Sequence, residues 1–552
     1  MKADAVTVEV VRNKLDGIAN EMQSSLLRCS FSPIVKEGLD ASASLFTMKG
    51  ETLAQAIAIP IHLGTLIPVV AKILEVFPPK TMAENDVFIL NDPYLGGTHL
   101  PDIALVMPVF HKGRPIALSA AMTHHQDVGG MSPGSVPTNA TEIFQEGIRI
   151  PLLKLYDGGV ANNTLIEVLR LNVRLPDTLM GDLNAQIAAC KIGDRRLREL
   201  ADRHGGDNLI LIFNDLLNRS EKMIRQAISA MPDGVFRYFD FLDNDGVELD
   251  KKVRIETKVK INGDHVHVDF SNTNDQVRGP FNCVPSGAWA AVYFAVQVVV
   301  DPDIPTNGGC LRPITLNLPL GSLVNPIPPA PVNSRTSTIK RIAGCVIGAL
   351  RQAVPEQTSA DAAGEMLSLT FGGRRIDGSP YIIGELIASG SGACNDKDGV
   401  DVIETDGTNC MNLPVEALEM DAPIRVYRSE LRTGSGGDGA YRGGLGLIRE
   451  YEVLHGNVAF TYRGERHCNV AAGYQGGEAG ARAYAKIWRQ NGCQEQINSK
   501  LMTILGPGDR VEIATAGGGG YGPPSKRHQS DVDADWANEK IFDRRLITKK
   551  DR

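Results

Sequence analysis

Apolar positions between residues 86 and 122 fall into three short runs, 86–90, 103–110 and 116–122, and each begins or ends at polar residues. The first stops at Asn91, Asp92 and Pro93; the other two are separated by the turn-like HKGRP. Runs of this length, cut by Gly and Pro, predict buried strands. Upstream, Val6, Val8, Val10, Val11, Leu15, Ile18, Met22 and Leu26 recur at helical spacing, which predicts an amphipathic helix over 5–29 capped by Asp4 or Thr7. Residues 43–47 and 51–56 flank a Lys-Gly turn as a hairpin, and 58–77 reads as a loop followed by a helix starting near Thr65 or Pro68.

The pattern turns helical over 179–231, where Gly205-Gly206 splits two antiparallel helices, and then to strands at 234–242, 252–261 and 265–273. A mostly apolar helix is expected over 279–300, followed by a Pro-rich extended connector over 313–338. The connector ends at Asn333, Ser334, Arg335 and Thr336, where a new helix could use its free N–H groups and Arg335 to hold an anion, or where these residues simply cap it. Beyond Asp377 strands dominate: YIIGELI, IRVYRSELR, GLIREYEVL and NVAFTYRG. The glycine-rich stretches 433–446 and 517–524 read as β-turns and bulges, since neither fits GxxxxGK[ST] or sits between a strand and a helix. The charge-dense tail from 525 to 552 reads as an arm docking on a partner subunit. The expected fold class is α+β and multi-domain, divided as 1–230 (metal-bearing α/β part with the helical hairpin), 231–400 (mixed), 401–524 (β-rich) and 525–552 (arm).

The candidate chemistry sits at the ends of the first three strands, in THLPD at 98–102 and THHQD at 123–127. Pro101 disfavours a helix through His99 and Asp102, so HLPD is a turn feeding a strand. If the strand leaving Asp102 is the hairpin neighbour of the strand arriving at Thr123, His124 and His125 return beside His99. A His and an Asp three apart are also common as a hydrogen-bonded turn. Two such clusters, holding three of the chain's 11 histidines, favour a site. Imidazole and carboxylate without thiolate suit Zn²⁺ in an open hydrolytic site, or Mn²⁺ or Fe²⁺. Gly96, Gly97, Gly129, Gly130 and Gly134 allow the close backbone approach that site loops need. Glu142, Gln145 and Glu146 would share one face of a helical turn and offer a base or a partner for a ligand imidazole.

Composition narrows the function classes. A chain of 552 residues holds two to four domains, and a net charge of −8 gives no basic footprint for nucleic acid or membrane. No apolar run is long enough to span a bilayer, and the opening MKADAVTVEV lacks signal-peptide features, so a cytoplasmic location is expected. Nine widely spaced cysteines without a CxxC pair read as buried small hydrophobes or idle thiols.

The phrases NDPYLGGTHLPDI, THHQDVGGMSPGS and TEIFQEGIRIP resemble the hydantoinase B family, the large subunit of ATP-dependent hydantoinases and lactamases, related to 5-oxoprolinase and to subunits of acetone and acetophenone carboxylases. The resemblance runs from the opening helix to AGGGGYGPP at 516–524. It implies a metal held by His99, Asp102, His124 and, by resemblance alone, Asp40. His62 matches a histidine near the site in relatives and, with Gly97, would contact substrate. Asp127 or His125 would take the proton from attacking water, with Glu142 or Glu146 as alternates. The implied activity is ring opening of a small cyclic amide activated by phosphorylation on a hydantoinase A-like ATPase subunit, in a hetero-oligomer with two or more copies of each. ATP is used by that partner, and this chain shows no phosphate-binding motif of its own. The alternatives are a ketone carboxylase subunit and a scaffold with a structural metal, the latter disfavoured because no Cys lies between Cys29 and Cys190.

Overall fold

Strands that are apolar at every position need cover on both faces, and the first sheet has it. It contains β1 (Ala41–Thr47), β2 (Thr52–Gln55), β3 (Val87–Leu90), β4 (Asp102–His111), β5 (Arg114–His124), β6 (Leu153–Asp157) and β7 (Val160–Ala161), in the order β2-β1-β5-β4-β3-β6-β7. In β4, Ile103, Leu105, Met107 and Val109 pack with the Ala5–Cys29 and Pro176–His204 helices, whereas Ala104, Val106 and Phe110 pack with the Pro60–Val76 helix. Odd and even positions therefore face different layers. The structure, a computed structural model, describes residues 4–542.

The Pro60–Val76 helix begins earlier than its sequence predicts. Pro60 presets the backbone for the first turn, and Pro68 lies inside the helix instead of opening it. This puts His62 on the first turn rather than in a loop.

The second sheet, order β11-β10-β9-β8, contains β8 (Gly234–Leu242), β9 (Val253–Asn262), β10 (His265–Asp269) and β11 (Ile314–Asn317). It shares a core with the Pro285–Val300 and Arg335–Leu350 helices. The Pro-rich stretch is not a loose connector: β11 pairs in parallel with β10, and residues 330–340 are buried without a break. Their backbone groups find partners inside, as where the Ser334 N–H donates to the Pro280 carbonyl at 2.8 Å.

Nine further strands form two sheets: β12 (Leu367–Arg374), β13 (Pro380–Ile387), β14 (Ile424–Leu431), β15 (Leu447–Val453), β16 (Val458–Arg463), β17 (Tyr484–Trp488), β18 (Gln494–Ile497), β19 (Lys500–Leu505) and β20 (Arg510–Ala514). Their orders are β13-β12-β16-β19 and β14-β15-β20-β17-β18, around one apolar core. The described part of the tail folds back on the chain itself, with Arg527 bonded to Asp398 at 2.7 Å and Lys540 to Asp401 at 2.8 Å; residues 543–552 lie outside the described residues. Among the described residues no helix is long and apolar enough to cross a membrane.

The glycine-rich stretches bear out the expectation of turns only in part: Gly434 and Gly522 have left-handed backbone, whereas the run between Gly517 and Gly520 serves another purpose. Gly517, Gly518, Gly519 and Gly520 have no left-handed backbone and pack directly against the backbone of other segments. Gly437 N–H donates to Gly518 O at 2.9 Å, Gly518 N–H to Gly444 O at 2.9 Å, and Gly444 N–H to Ser391 O at 2.8 Å. A Cβ on Gly518 would lie 1.9 Å from Ser391 O, and one on Gly517 1.8 Å from Ser435 O. Glycine is required here for closeness rather than for φ.

Gly518→Ala is therefore expected to destabilise by about 3 kcal/mol or more, because the obstructing atoms are backbone and cannot repack. Gly506→Ala, where a Cβ meets nothing within 4 Å, should stay within about 0.5 kcal/mol of wild type. Thermal melts of both variants check this; equal melting temperatures would refute the close-packing account.

Candidate metal centre

Three neighbouring strand ends build the site. Asp102 opens β4 and is paired in register with His124, which closes β5; the His124 N–H donates to the Asp40 carbonyl, just before β1, at 3.1 Å. Asp40, Asp102 and His124 share the parity that faces the Pro60–Val76 helix, and His62 on its first turn meets them. His99 comes from the turn before β4, as the Pro101 argument requires.

The atoms converge closely. His99 Nε2 lies 2.9 Å from Asp102 Oδ1 and 3.1 Å from His124 Nδ1, and His124 Nδ1 lies 3.4 Å from the same carboxylate oxygen. His62 Nε2 is 3.4 Å from Asp40 Oδ1 and 3.7 Å from Asp102 Oδ2, and Asp40 Oδ2 is 3.9 Å from His124 Nδ1. His99, Asp102 and His124 each offer a ligand atom within 4.8 Å of the others, with His99 and Asp102 buried and His124 partly exposed. His99 and His124, with Asp40 and His62, line a cavity of about 40 Å³ whose walls include Ile59, Ile382, Leu386 and Arg463.

The protonation of His99 tests whether this set fits a cation. Its Nδ1 lies 3.0 Å from the Asn333 carbonyl oxygen, which only accepts, so Nδ1 carries the hydrogen. Burial first, and then the neighbouring Arg335, push its pKa down to about 3, so the ring is neutral and Nε2 presents a lone pair. That lone pair points at a carboxylate oxygen 2.9 Å away. Two electron-rich atoms at that distance repel unless a cation lies between them. The residues thus fit a divalent ion, with the carbonyl orienting the ligand imidazole as metal-bound histidines are commonly oriented.

Two groups that the sequence placed elsewhere complete the surroundings. Arg335, expected as a possible anion holder at a helix start, is committed to Asp102 Oδ2 at 2.6 Å, and Thr98 donates to the same oxygen. Glu146, expected as a spare base, accepts the Val332 N–H at 2.9 Å and the Asn333 N–H at 2.8 Å. It fixes the segment whose carbonyl orients His99.

The other expected catalytic residues are not brought to the cavity. His125 has the opposite strand parity: its Nε2 meets Gln186 Oε1 of the Pro176–His204 helix at 3.0 Å. Asp127 accepts from Arg174 Nη1 and from the Arg174 N–H, both at 2.8 Å, and from two glycine amides, which ties the loop together. Glu142 is exposed and caps the short turn Ile143–Gln145, so it does not share a face with buried Glu146. Gly97 accepts from Ser286 Oγ at 2.6 Å and closely approaches the Asn91 and Asp92 carbonyls, a tight-turn role rather than a contact with the cavity.

Sequence reasoning missed Arg463, at the end of β16 beside Ser368 of β12, and Gln126, which donates to the Ile382 carbonyl. A lone arginine closing the apolar strand VAFTYR was the available signal for the first.

The family model of hydantoinase B/oxoprolinase matches residues 4–524. The caprolactamase subunit beta of Pseudomonas jessenii is 32% identical over 97% of this chain and 94% of its own length. The crystal structure of the ATP-dependent caprolactamase from the same organism superposes with a TM-score of 0.92 at 30% identity, covering 98% of this chain and 95% of that one. The 5-oxoprolinase of Dictyostelium discoideum is 31% identical over 94% of this chain, which spans 40% of that protein. A nucleotide-free acetone carboxylase structure has the same fold, with a TM-score of 0.91 at 19% identity, over 98% of this chain and 78% of that one.

Burial raises the Glu146 carboxyl from its ordinary 4.5 to about 8, against the pull of the Asn333 and Val332 amides. A folded-state value above the unfolded one contributes stability that is complete below about pH 4.5 and is lost as pH rises through about 8. Glu146→Gln keeps an acceptor for both amides and cannot ionise. Its stability should gain on wild type by up to ~1.4 kcal/mol per pH unit across that window. Paired melts at several pH values check this; a constant gap would mean that Glu146 is ionised throughout.

Proposed function

The chain belongs to the hydantoinase B/oxoprolinase family, and from that premise we propose that it is the metal-dependent hydrolytic subunit of an ATP-dependent cyclic amidase. The observation that carries this reading is the convergence of His99 Nε2, the Asp102 carboxylate and His124 Nδ1 at the end of neighbouring strands, with His99 oriented by the Asn333 carbonyl. His99, Asp102, His124 and Asp40 would hold the ion, with Zn²⁺ the leading candidate and Mn²⁺ or Fe²⁺ the others. When bound, such an ion lowers the pKa of water toward ~7 and polarises a carbonyl.

Amide resonance makes a ring carbonyl a poor electrophile, so phosphorylation of its oxygen on a separate ATPase subunit would precede ring opening. Water then adds to the activated carbon, the ring nitrogen leaves with a proton, and a second water releases phosphate from the resulting acyl phosphate. His62 is placed to accept the proton at Nε2, where Asp40 at 3.4 Å and Asp102 at 3.7 Å stabilise the imidazolium. This role replaces the substrate contact expected of His62, and it displaces Asp127, His125, Glu142 and Glu146 as bases. Arg335 and Thr98 keep Asp102 anionic and aimed. A ketone carboxylase remains the alternative, and the near-complete two-way coverage of the caprolactamase chain, against 78% of the carboxylase chain, favours the amidase. In this reading the assembly is a cytoplasmic hetero-oligomer.

The test is hydrolysis of hydantoin, N-methylhydantoin, 5-oxoproline and caprolactam by this chain with its co-expressed ATPase partner, with metal content measured alongside. Wild type should open one of these rings only with ATP, and His99→Ala should lose about 100-fold or more in both metal affinity and turnover. Metal retained by His99→Ala would remove that ligand from the set. Bicarbonate fixation onto a ketone, with the whole panel untouched, would replace the amidase with the carboxylase.

A further inference from the structure

The interior of this protein pairs its cations. Lys340 meets Glu404 at 2.9 Å, Lys500 meets Glu465 at 2.6 Å, Arg341 meets Asp240 at 2.8 Å and Arg449 meets Glu385 at 2.9 Å. Arg463 breaks this rule: its side chain reaches the cavity that holds His99 and His124, and only 5% of the residue is exposed. Among the described residues its guanidinium has no carboxylate partner, and its Nε and Nη1 are buried without a hydrogen bond. A buried cation left unpaired opposes folding.

Nearby carboxylates do not answer it. Glu465 is bound by Lys500, Asp102 by Arg335, and Asp40 faces His62 and His124. Burial, with Arg335 adding to it, lowers the Arg463 guanidinium to about 10, so it stays charged at neutral pH. Once a divalent ion joins Asp40 and Asp102, the positive charges of Arg335 and Arg463 have nothing left to balance them. Ser368 and Thr370 of β12 line the cavity on the same wall and offer hydroxyl donors beside the guanidinium.

We infer that Arg463 is the receptor for an oxyanion, a phosphoryl or carboxylate group carried by the ligand, which it grips while the ligand's carbonyl faces the His99, Asp102 and His124 cluster. A guanidinium suits this task because its planar fork binds two oxygens at once. The inference rests on the hydrolytic reading for its orientation of the ligand, but the anion site can be tested without turnover.

Inorganic phosphate and acetate are titrated calorimetrically into the metal-loaded full chain, without ATP or partner, for wild type, Arg463→Met and Arg463→Lys. Wild type should bind one of the two anions. Arg463→Met should weaken that binding at least about tenfold while keeping its metal, and should melt higher than wild type because an unpaired buried charge is gone. Arg463→Lys should fall between, having lost the fork. Tighter binding of phosphate identifies the phosphoryl group of an activated amide; tighter binding of acetate identifies a carboxylate on the substrate. Absence of anion binding by wild type, or equal affinities in wild type and Arg463→Met, overturns the inference. If Arg463→Met does not fold, an Arg463→Lys affinity equal to wild type overturns it. Anion binding that depends on Arg463 in a protein that opens no ring would sink the amidase reading and leave the anion site standing.

Discussion

The arrangement depends on keeping one carboxylate charged where no water reaches it. Asp102 is fully buried, and an isolated carboxylate in such a place would take up a proton rather than stay ionised. Arg335 at 2.6 Å, the Thr98 hydroxyl and the surrounding imidazoles make ionisation tolerable. That support crosses the chain: β4 supplies the acid, and the Arg335–Leu350 helix supplies the cation from 233 residues further on. Glu146 pins the approach to that helix through the Val332 and Asn333 amides, and Asn333 in turn sets the His99 tautomer. Disturbing the helix start would therefore alter the charge of Asp102 and the direction of the His99 lone pair together.

Much of the cluster was legible because strand ends, turns and hairpin pairing are local. Pro101 and the HKGRP turn were enough to bring Asp102 opposite His124, and the register confirms that pairing. Direction was harder to read than residue type. His125 is adjacent to His124, yet strand alternation sends it to the opposite helical layer and Gln186. Asp127 and Glu142 were spent on loop and turn geometry, where a carboxylate is as useful as in a catalytic cavity. Arg335, Asn333 and Arg463 reach the site from other layers, and periodicity carries no information about such distances. The Pro-rich stretch misled for a related reason: proline removes donors, but this segment finds buried partners for the groups that remain.

Glycine composition told only part of the story, since Gly434 and Gly522 do take turn-type backbone while the run at 517–520 does not. Turns and close packing both call for glycine, and only the spatial neighbours tell them apart. In this chain the runs around Gly390, Gly437, Gly444 and Gly518 are held by backbone hydrogen bonds at separations that no side chain permits. This network bears on the cavity through Glu365, whose carboxylate accepts from the Ala516 and Glu465 amides just before β12 begins at Leu367. β12 then delivers Ser368 and Thr370 to the cavity wall. A floor anchored by inextensible backbone contacts keeps those hydroxyls fixed relative to the cluster opposite.

The cavity joins polar and apolar walls drawn from several elements. The imidazoles and Asp40 that line the cavity come from residues 40–124, Arg335 and Arg463 reach it from later elements, and the apolar wall combines Ile59 and Ile61 beside His62 with Met366, Ile382 and Leu386. Apolar contacts discriminate one methylene by only ~1–3 kcal/mol, so under the proposed amidase reading the wall alone tunes ring size gently. A charged or hydrogen-bonding group on the ring is discriminated far more strongly when a buried partner would otherwise stay unpaired. Changes confined to the wall should thus shift preference among rings of similar polarity while leaving the His99, Asp102 and His124 geometry intact. In that reading, the wall residues 366–386 could change to suit a different ring while the residues proposed to open it stay in place.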